Sequence, residues 1–404
     1  MGTRVRRLLG IALVSALLSG CWLQVGFDSG HTRFNDLEDQ LTAQNVASLE
    51  ADWSVGILQV GSEPMASGGR VFLVTSSDQA EVKHASVRAW SAATGAAAWA
   101  TSLVDFTGPA DLFATAPASF VGDELWAGAS AALFGPIPLQ QLAFPARLDP
   151  RDGSILDSET SLLGSPAVEA EGLVVQTGAG FGNWSVSVRD RITLTTLWSA
   201  FFAIPPPITA AYPPTVAEGQ VFVVEDHVLH ALLLAGCGAA TCTPVWSVDL
   251  GSQPSPAVAP VGDDELFVVD ENELLAIDRT TGTITWRAPL GTRGRLAISG
   301  DTIYVTTADS LQAFARSGCG AETCTPTGTT SLGAVPTTDP VVAGGVVYVG
   351  VPGAIEALDA AGAPLAIVPV SGIPRQLSVA GGRVFVVHDP GDGTNATLTS
   401  LAPG

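Results

Sequence analysis

Leu266-Phe267-Val268-Val269, Leu274-Leu275-Ala276-Ile277-Asp278, Arg279-Thr280-Thr281-Gly282 and Ile284-Thr285-Trp286-Arg287 follow one another closely, and this stretch decides the fold. Three runs rich in Val, Ile and Leu, each too short for a helix, are separated by turn signals. Asp278 to Gly282 reads as a tight turn, because an Asp side chain can bond the backbone ahead of it and Gly accepts positive φ. Upstream, Pro256-Ala257-Val258-Ala259 reads as a further strand, innermost of four. A single four-stranded unit cannot bury both its faces, so it must stack against copies of itself.

Those copies are present. A Gly followed by a β-branched or aromatic run recurs at Gly69-Arg70-Val71-Phe72, Gly219-Gln220-Val221-Phe222, Gly300-Asp301-Thr302-Ile303-Tyr304, Gly345-Val346-Val347-Tyr348 and Gly382-Arg383-Val384-Phe385. Looser copies start at Gly122, Gly172 and Gly262. The eight copies between Gly69 and Gly382 step by about 45 residues, the length of a propeller blade. The reading is an all-β, eight-bladed β-propeller, with seven blades as the alternative because the second unit is irregular. Trp99, Trp198, Trp246 and Trp286 each follow the turn of their unit, and a large apolar ring there closes the gap to the neighbouring blade. The last copy, Gly382 to Leu401, runs out before an outer strand with Trp. Leu49-Glu50-Ala51-Asp52-Trp53-Ser54-Val55-Gly56 supplies such a strand from the other end of the chain. It is expected to close the ring, which removes exposed edges.

The start of the chain sets the compartment. Arg4, Arg6 and Arg7 precede an apolar run, Leu8 to Leu18, too short to span a bilayer, and then Leu18-Ser19-Gly20-Cys21. This order resembles a bacterial lipobox, with Cys21 acylated on sulfur and becoming the first residue. The expected division is therefore a signal peptide at 1–20, a lipidated tether and lead-in at 21–48, and the propeller at 49–404. The expected location is the bacterial cell envelope, exported and lipid-anchored to a membrane. Hydrophobic residues make up 47% and charged residues 14%, a core-forming composition. Net charge is −21 and falls to −24 without the three leader arginines, so nucleic acid is not an expected partner.

Phe27-Asp28-Ser29-Gly30-His31-Thr32-Arg33-Phe34-Asn35, then Leu41-Thr42-Ala43-Gln44-Asn45-Val46-Ala47-Ser48-Leu49 and Trp53, resemble the amino-terminal segment of quinoprotein-type (pyrroloquinoline-quinone-type) propellers. The turn and Trp of Thr280-Thr281-Gly282-Thr283-Ile284-Thr285-Trp286 are similar to that family's blade signature. The resemblance spans residues 27 to 401 and implies fold more than activity. One branch of the family implies pyrroloquinoline quinone and calcium as cofactors of a dehydrogenase. The other comprises non-catalytic propeller lipoproteins, such as an outer-membrane assembly factor that binds partner proteins. The vicinal cysteines of the first branch have no counterpart here, and no motif marks its calcium ligands or its Asp base. The expected function is thus a protein-interaction or envelope scaffold with an unidentified protein or envelope partner. The alternatives are a quinone- and calcium-dependent dehydrogenase, and a sensor of small ligands or polysaccharide.

Four further cysteines form two identical spacings, Cys237 to Cys242 and Cys319 to Cys324, each followed by Thr-Pro. They stand where other units have their Gly turn, and export permits disulfides, so two disulfide-closed hairpin loops are expected. No His lies near either pair, which disfavours zinc. His31, His84, His227, His230 and His388 are scattered; His227 and His230 alone suggest a weak metal pair. Asp389-Pro390-Gly391-Asp392-Gly393-Thr394-Asn395 is the most calcium-like loop but lacks EF-hand spacing, and reads as a polar hairpin tip. Pro205-Pro206-Pro207, Tyr212-Pro213-Pro214 and Phe134-Gly135-Pro136-Ile137-Pro138 read as stiff loops where a propeller builds contacts.

Overall fold

A computed structural model describes residues 21–404 except 58, 61, 80–81, 108–111, 134–139, 159–166, 181–182, 204–212, 253–259, 263 and 392–394. The expected leader at 1–20 lies outside the described residues. So do the strand read at Pro256 to Ala259, the loop from Phe134 to Pro138, Pro205 to Pro207 and Tyr212.

The described strands form eight sheets in sequence order. Blades 1 to 7 span 59–107, 112–157, 168–203, 215–249, 261–289, 295–331 and 341–369. Blade 8 is assembled from 373–403 and, as its outer strand, Leu49–Ile57. Leu49 pairs with Pro403 and Ile57 with Ala396, antiparallel, so the two ends of the chain share one sheet as expected. With eight blades counted, the seven-blade alternative falls away. The Gly recurrences sit at the turns between the first and second strands of each blade. The central residues of the second strands, where described, are mostly buried, as in Phe267 (0% exposed) and Tyr348 (0%).

The seams between blades follow one rule. The outer-strand Trp lies over the turn of the next blade and donates from Nε1 to the carbonyl of a turn residue. Trp53 bonds Ala92 (2.9 Å), Trp99 bonds Pro150 (3.1 Å), Trp198 bonds Leu234 (2.9 Å) and Trp246 bonds Arg279 (3.0 Å). The turn Gly is required beneath the ring: at Gly282, with φ 73°, an added Cβ would lie 2.5 Å from Trp246. Trp286 packs as closely on Gly318, but its Nε1 finds no hydrogen-bond partner among the described residues.

Blades 2, 6 and 7 carry no Trp at this place, and in blade 7 Ala366 stands in its register. In blade 6 Gly328 occupies the Trp register, and Tyr304 takes over the hydrogen bond, its hydroxyl donating to Ala360 O at 2.8 Å. In blade 2 the corresponding residue is Asp157, paired with Arg147, and the next turn carries Leu194 at φ 58° instead of Gly. Without a Trp above it, a side chain fits at 194, and Leu194 packs on the cluster of Val121, Trp126, Ala167 and Val174.

Candidate functional site

The stretch expected as a tether is instead built into the ring. From Trp22 to Asn35 the chain circles the axis and bonds the inner strand of each blade in turn. Trp22 pairs with Ala66 of blade 1 through bonds of 2.7 and 3.0 Å. Leu23 O accepts from Phe120 N of blade 2 (2.7 Å), and the Gln24 amide exchanges two bonds with the Glu169 backbone of blade 3 (3.3 Å each). Ser29 O accepts from Val216 N (2.7 Å), Gly30 O from Val261 N (3.0 Å), Thr32 O from Ile298 N (2.8 Å) and Arg33 O from Val342 N (2.9 Å). Asn35 then donates to Val379 O of blade 8 (2.8 Å) and to Cys21 O (3.3 Å), which closes the circle. Every bonded inner-strand residue lies just before the glycine turn of its blade. This axial loop therefore occupies the mouth of the ring on the glycine-turn face.

The loop carries its own buried charge. Arg33 reaches Glu63 of blade 1 (3.2 Å) and Asp339 before the inner strand of blade 7 (2.5 Å). Glu63 is buried, which raises its carboxyl pKa, and the Arg33 guanidinium opposes that shift. His31 is buried, with Nδ1 2.7 Å from Val25 O and Nε2 2.9 Å from Pro214 O. Burial pulls its pKa down, against those carbonyls and the Asp28 carboxylate. Asp28 in turn accepts from Thr32 N (3.0 Å) and Thr32 Oγ1 (2.5 Å). Phe27, His31 and Arg33 all have positive φ (80°, 54° and 57°), so the loop holds strained backbone that its bonds to the blades must offset.

Cys21 lies at the start of this loop, buried, with Sγ 3.9 Å from Ser67 Oγ in the glycine turn of blade 1. Burial raises its thiol pKa. The two cysteine pairs lie at disulfide distance, Sγ to Sγ 2.17 Å for Cys237 and Cys242 and 2.19 Å for Cys319 and Cys324. Each loop does something the spacing does not reveal: it caps the outer edge of the preceding blade. Ser199 of blade 3 bonds Ala240 O and Cys242 N (2.9 Å each), and Arg287 of blade 5 bonds Glu322 O (2.9 Å) and Cys324 N (2.8 Å).

The remaining candidates do not converge. His227 sits exposed at a hairpin tip beside Asp226 (2.7 Å), whereas His230 is buried against Phe202, ring centroids 4.6 Å apart. His388 bonds Thr399 Oγ1 at 2.8 Å. Among the described residues no three His, Cys, Asp or Glu side chains come together as a metal-binding group. Asp389 of the calcium-like loop is engaged by Arg375 (2.7 and 3.2 Å).

One arrangement escaped the sequence reading because its members follow no motif spacing and meet only across three neighbouring strands. Ser247 Oγ lies 2.7 Å from His230 Nδ1, and Glu225 Oε2 lies 3.4 Å from His230 Nε2. All three stand on neighbouring strands of one sheet, with His230 paired across from Ser247. A serine inside a regular ladder has no free backbone donors beside it for an oxyanion, and burial lowers the His230 pKa to about 4. The set does not fit acyl transfer. At the glycine-turn mouth the axial loop and its Arg33 cluster occupy the axis, and these residues do not fit a quinone with calcium.

No curated protein matches the chain. Three solved structures are similar in architecture. BamB from Moraxella catarrhalis aligns at TM-score 0.47 and 18% identity, over 88% of this chain and 99% of that one. The Pan2 WD40 domain from Neurospora crassa aligns at 0.46 and 11%, over 74% and 90%. Raptor from Chaetomium thermophilum aligns at 0.48 and 9%, over 90% and 30%. A family model described as outer membrane protein assembly factor BamB matches residues 233–363, from the third strand of blade 4 into blade 7. Over those residues this propeller is similar to the BamB family of outer membrane protein assembly factors.

Proposed function

We propose that the chain is an exported, lipid-anchored propeller that works as a protein-interaction scaffold in the bacterial cell envelope. The observation that carries this reading is the axial loop: the mouth where a propeller offers an axial site is filled by the chain's own residues 22–35. What is left for partners is the outer surface and the opposite face. The family match over 233–363 supports a partner-binding role over a catalytic one. The lipobox pattern ending at Cys21 supports the anchor, and the identical C-x4-C pairs support an oxidising compartment.

Two measurements test the reading. Thermal shift of residues 22–404 with pyrroloquinoline quinone, with and without calcium, is expected to give no change. A saturable rise in melting temperature would replace the scaffold by the dehydrogenase reading. Cys21→Ser is expected to move the protein from the membrane to the soluble fraction; retention there would remove the anchor.

A further inference from the structure

We infer that the lipid anchor is axial and taut, so that the propeller stands with its glycine-turn face toward the bilayer and presents the opposite face to partners. This rests on the acylation of Cys21 proposed above. The usual picture of a surface lipoprotein has a flexible tether between lipid and domain. Here the residue after Cys21 is already in the ring, with Trp22 bonded both ways to Ala66. Cys21 itself is held through its carbonyl by Asn35, which is bonded at once to blade 8. There is no slack across which the body could turn over.

The direction follows from strand order. Successive strands of a blade run in opposite senses, so the turns after the first and third strands share a face. Cys21 lies on that face, against Ser67 and Gly68 of the first turn of blade 1. The space around Gly68 is open, since a Cβ there meets nothing within 4 Å. The described hairpins between second and third strands, as at Asp226–His227 and Glu271–Asn272, lie on the other face. A six-residue strand puts the two faces roughly 20 Å apart.

Attraction to lipid does not set this orientation. The glycine turns carry Asp123, Glu171, Glu218 and Asp264, an acidic rim that anionic headgroups repel. The anchor alone must hold the face down.

Blade 5 offers matched probe positions. Thr280 is exposed in the turn on the glycine-turn face, and Glu271 is exposed at the hairpin tip on the other. The acylated full-length protein, as Thr280→Cys or Glu271→Cys, is labelled with a fluorophore. It is then reconstituted into phosphatidylethanolamine and phosphatidylglycerol vesicles containing headgroup spin-labelled lipid. Quenching several-fold stronger at 280 than at 271 is expected, and a flexible Gly-Ser spacer inserted between Cys21 and Trp22 is expected to abolish the difference. Equal quenching at the two positions in vesicle-bound protein overturns the axial orientation while leaving the anchor intact. Protein that fails to associate with the vesicles, as Cys21→Ser should, removes the anchor reading and the orientation with it.

Discussion

Tyr304 and Leu194 show how far a single side chain can be exchanged within this ring. Tyr304 fills the place of a missing Trp by sending its hydroxyl to Ala360 O, the residue in the same turn position that Trp246 bonds in blade 5. Tyr304→Phe keeps the ring and loses the bond, and should cost about 1 kcal/mol in denaturant unfolding. Gly282→Ala should cost more. The positive φ alone is worth about 1–3 kcal/mol, and the Trp246 ring must also move. His230 carries a pH prediction. Its folded pKa, about 4, lies below the ordinary 6.5 because burial disfavours the cation. The unfolded chain therefore binds a proton that the folded chain does not as pH falls from 6.5 to 4. Stability is lost across that window, and none of this contribution is lost above it. His230→Gln should show a smaller drop in melting temperature between pH 7 and pH 5 than the parent protein.

At the scale of elements, two segments do work their sequence does not announce. The axial loop is locked by Arg33 between Glu63 and Asp339, and Arg295 lies 3.6 Å from Asp339 on its other side. Arg33→Met leaves Glu63 and Asp339 without the Arg33 guanidinium, and breaking such a buried set should cost about 3–5 kcal/mol. The triple variant Arg33→Met, Glu63→Gln, Asp339→Asn should recover much of the loss in urea unfolding; no recovery would mean that the loop is held by its backbone bonds alone. The cysteine loops cap the edges of blades 3 and 5. Closing so short a loop restricts the unfolded chain by about 2 kcal/mol each in the entropy account. Reduction should therefore lower the melting temperature modestly and leave the ring folded. Four free thiols in the native protein would rule the disulfides out.

At the scale of the molecule, closure is made twice. The outer strand Leu49–Ile57 ties the start of the chain to blade 8 at the rim, and the circle from Cys21 to Asn35 ties all eight blades at the axis. A blade in such a ring is supported by both neighbours, so unfolding should be one cooperative transition. Deletion of residues 49–56 should lower the stability of the whole domain, not only of blade 8. An unchanged melting temperature in that variant would mean that the axial circle alone carries closure.

The blade count, the turns, the seam tryptophans and the closing strand were legible in the chain before any coordinates, because each depends on a local period. Strands need alternating apolar residues, tight turns need Gly and Asp, and a ring on the next blade needs a Gly beneath it. The tertiary structure decided the rest. Tyr304 and Leu194 make sense only against their neighbours in space. The axial loop leaves no periodic trace, because it is held mostly by backbone groups, which every sequence carries, and by partners up to 344 residues away, as between Asn35 and Val379. The repeat determined that there is a ring; only the assembled ring determined that its centre is filled by its own amino-terminal segment, because the inner-strand groups that bind that segment converge nowhere but at the axis.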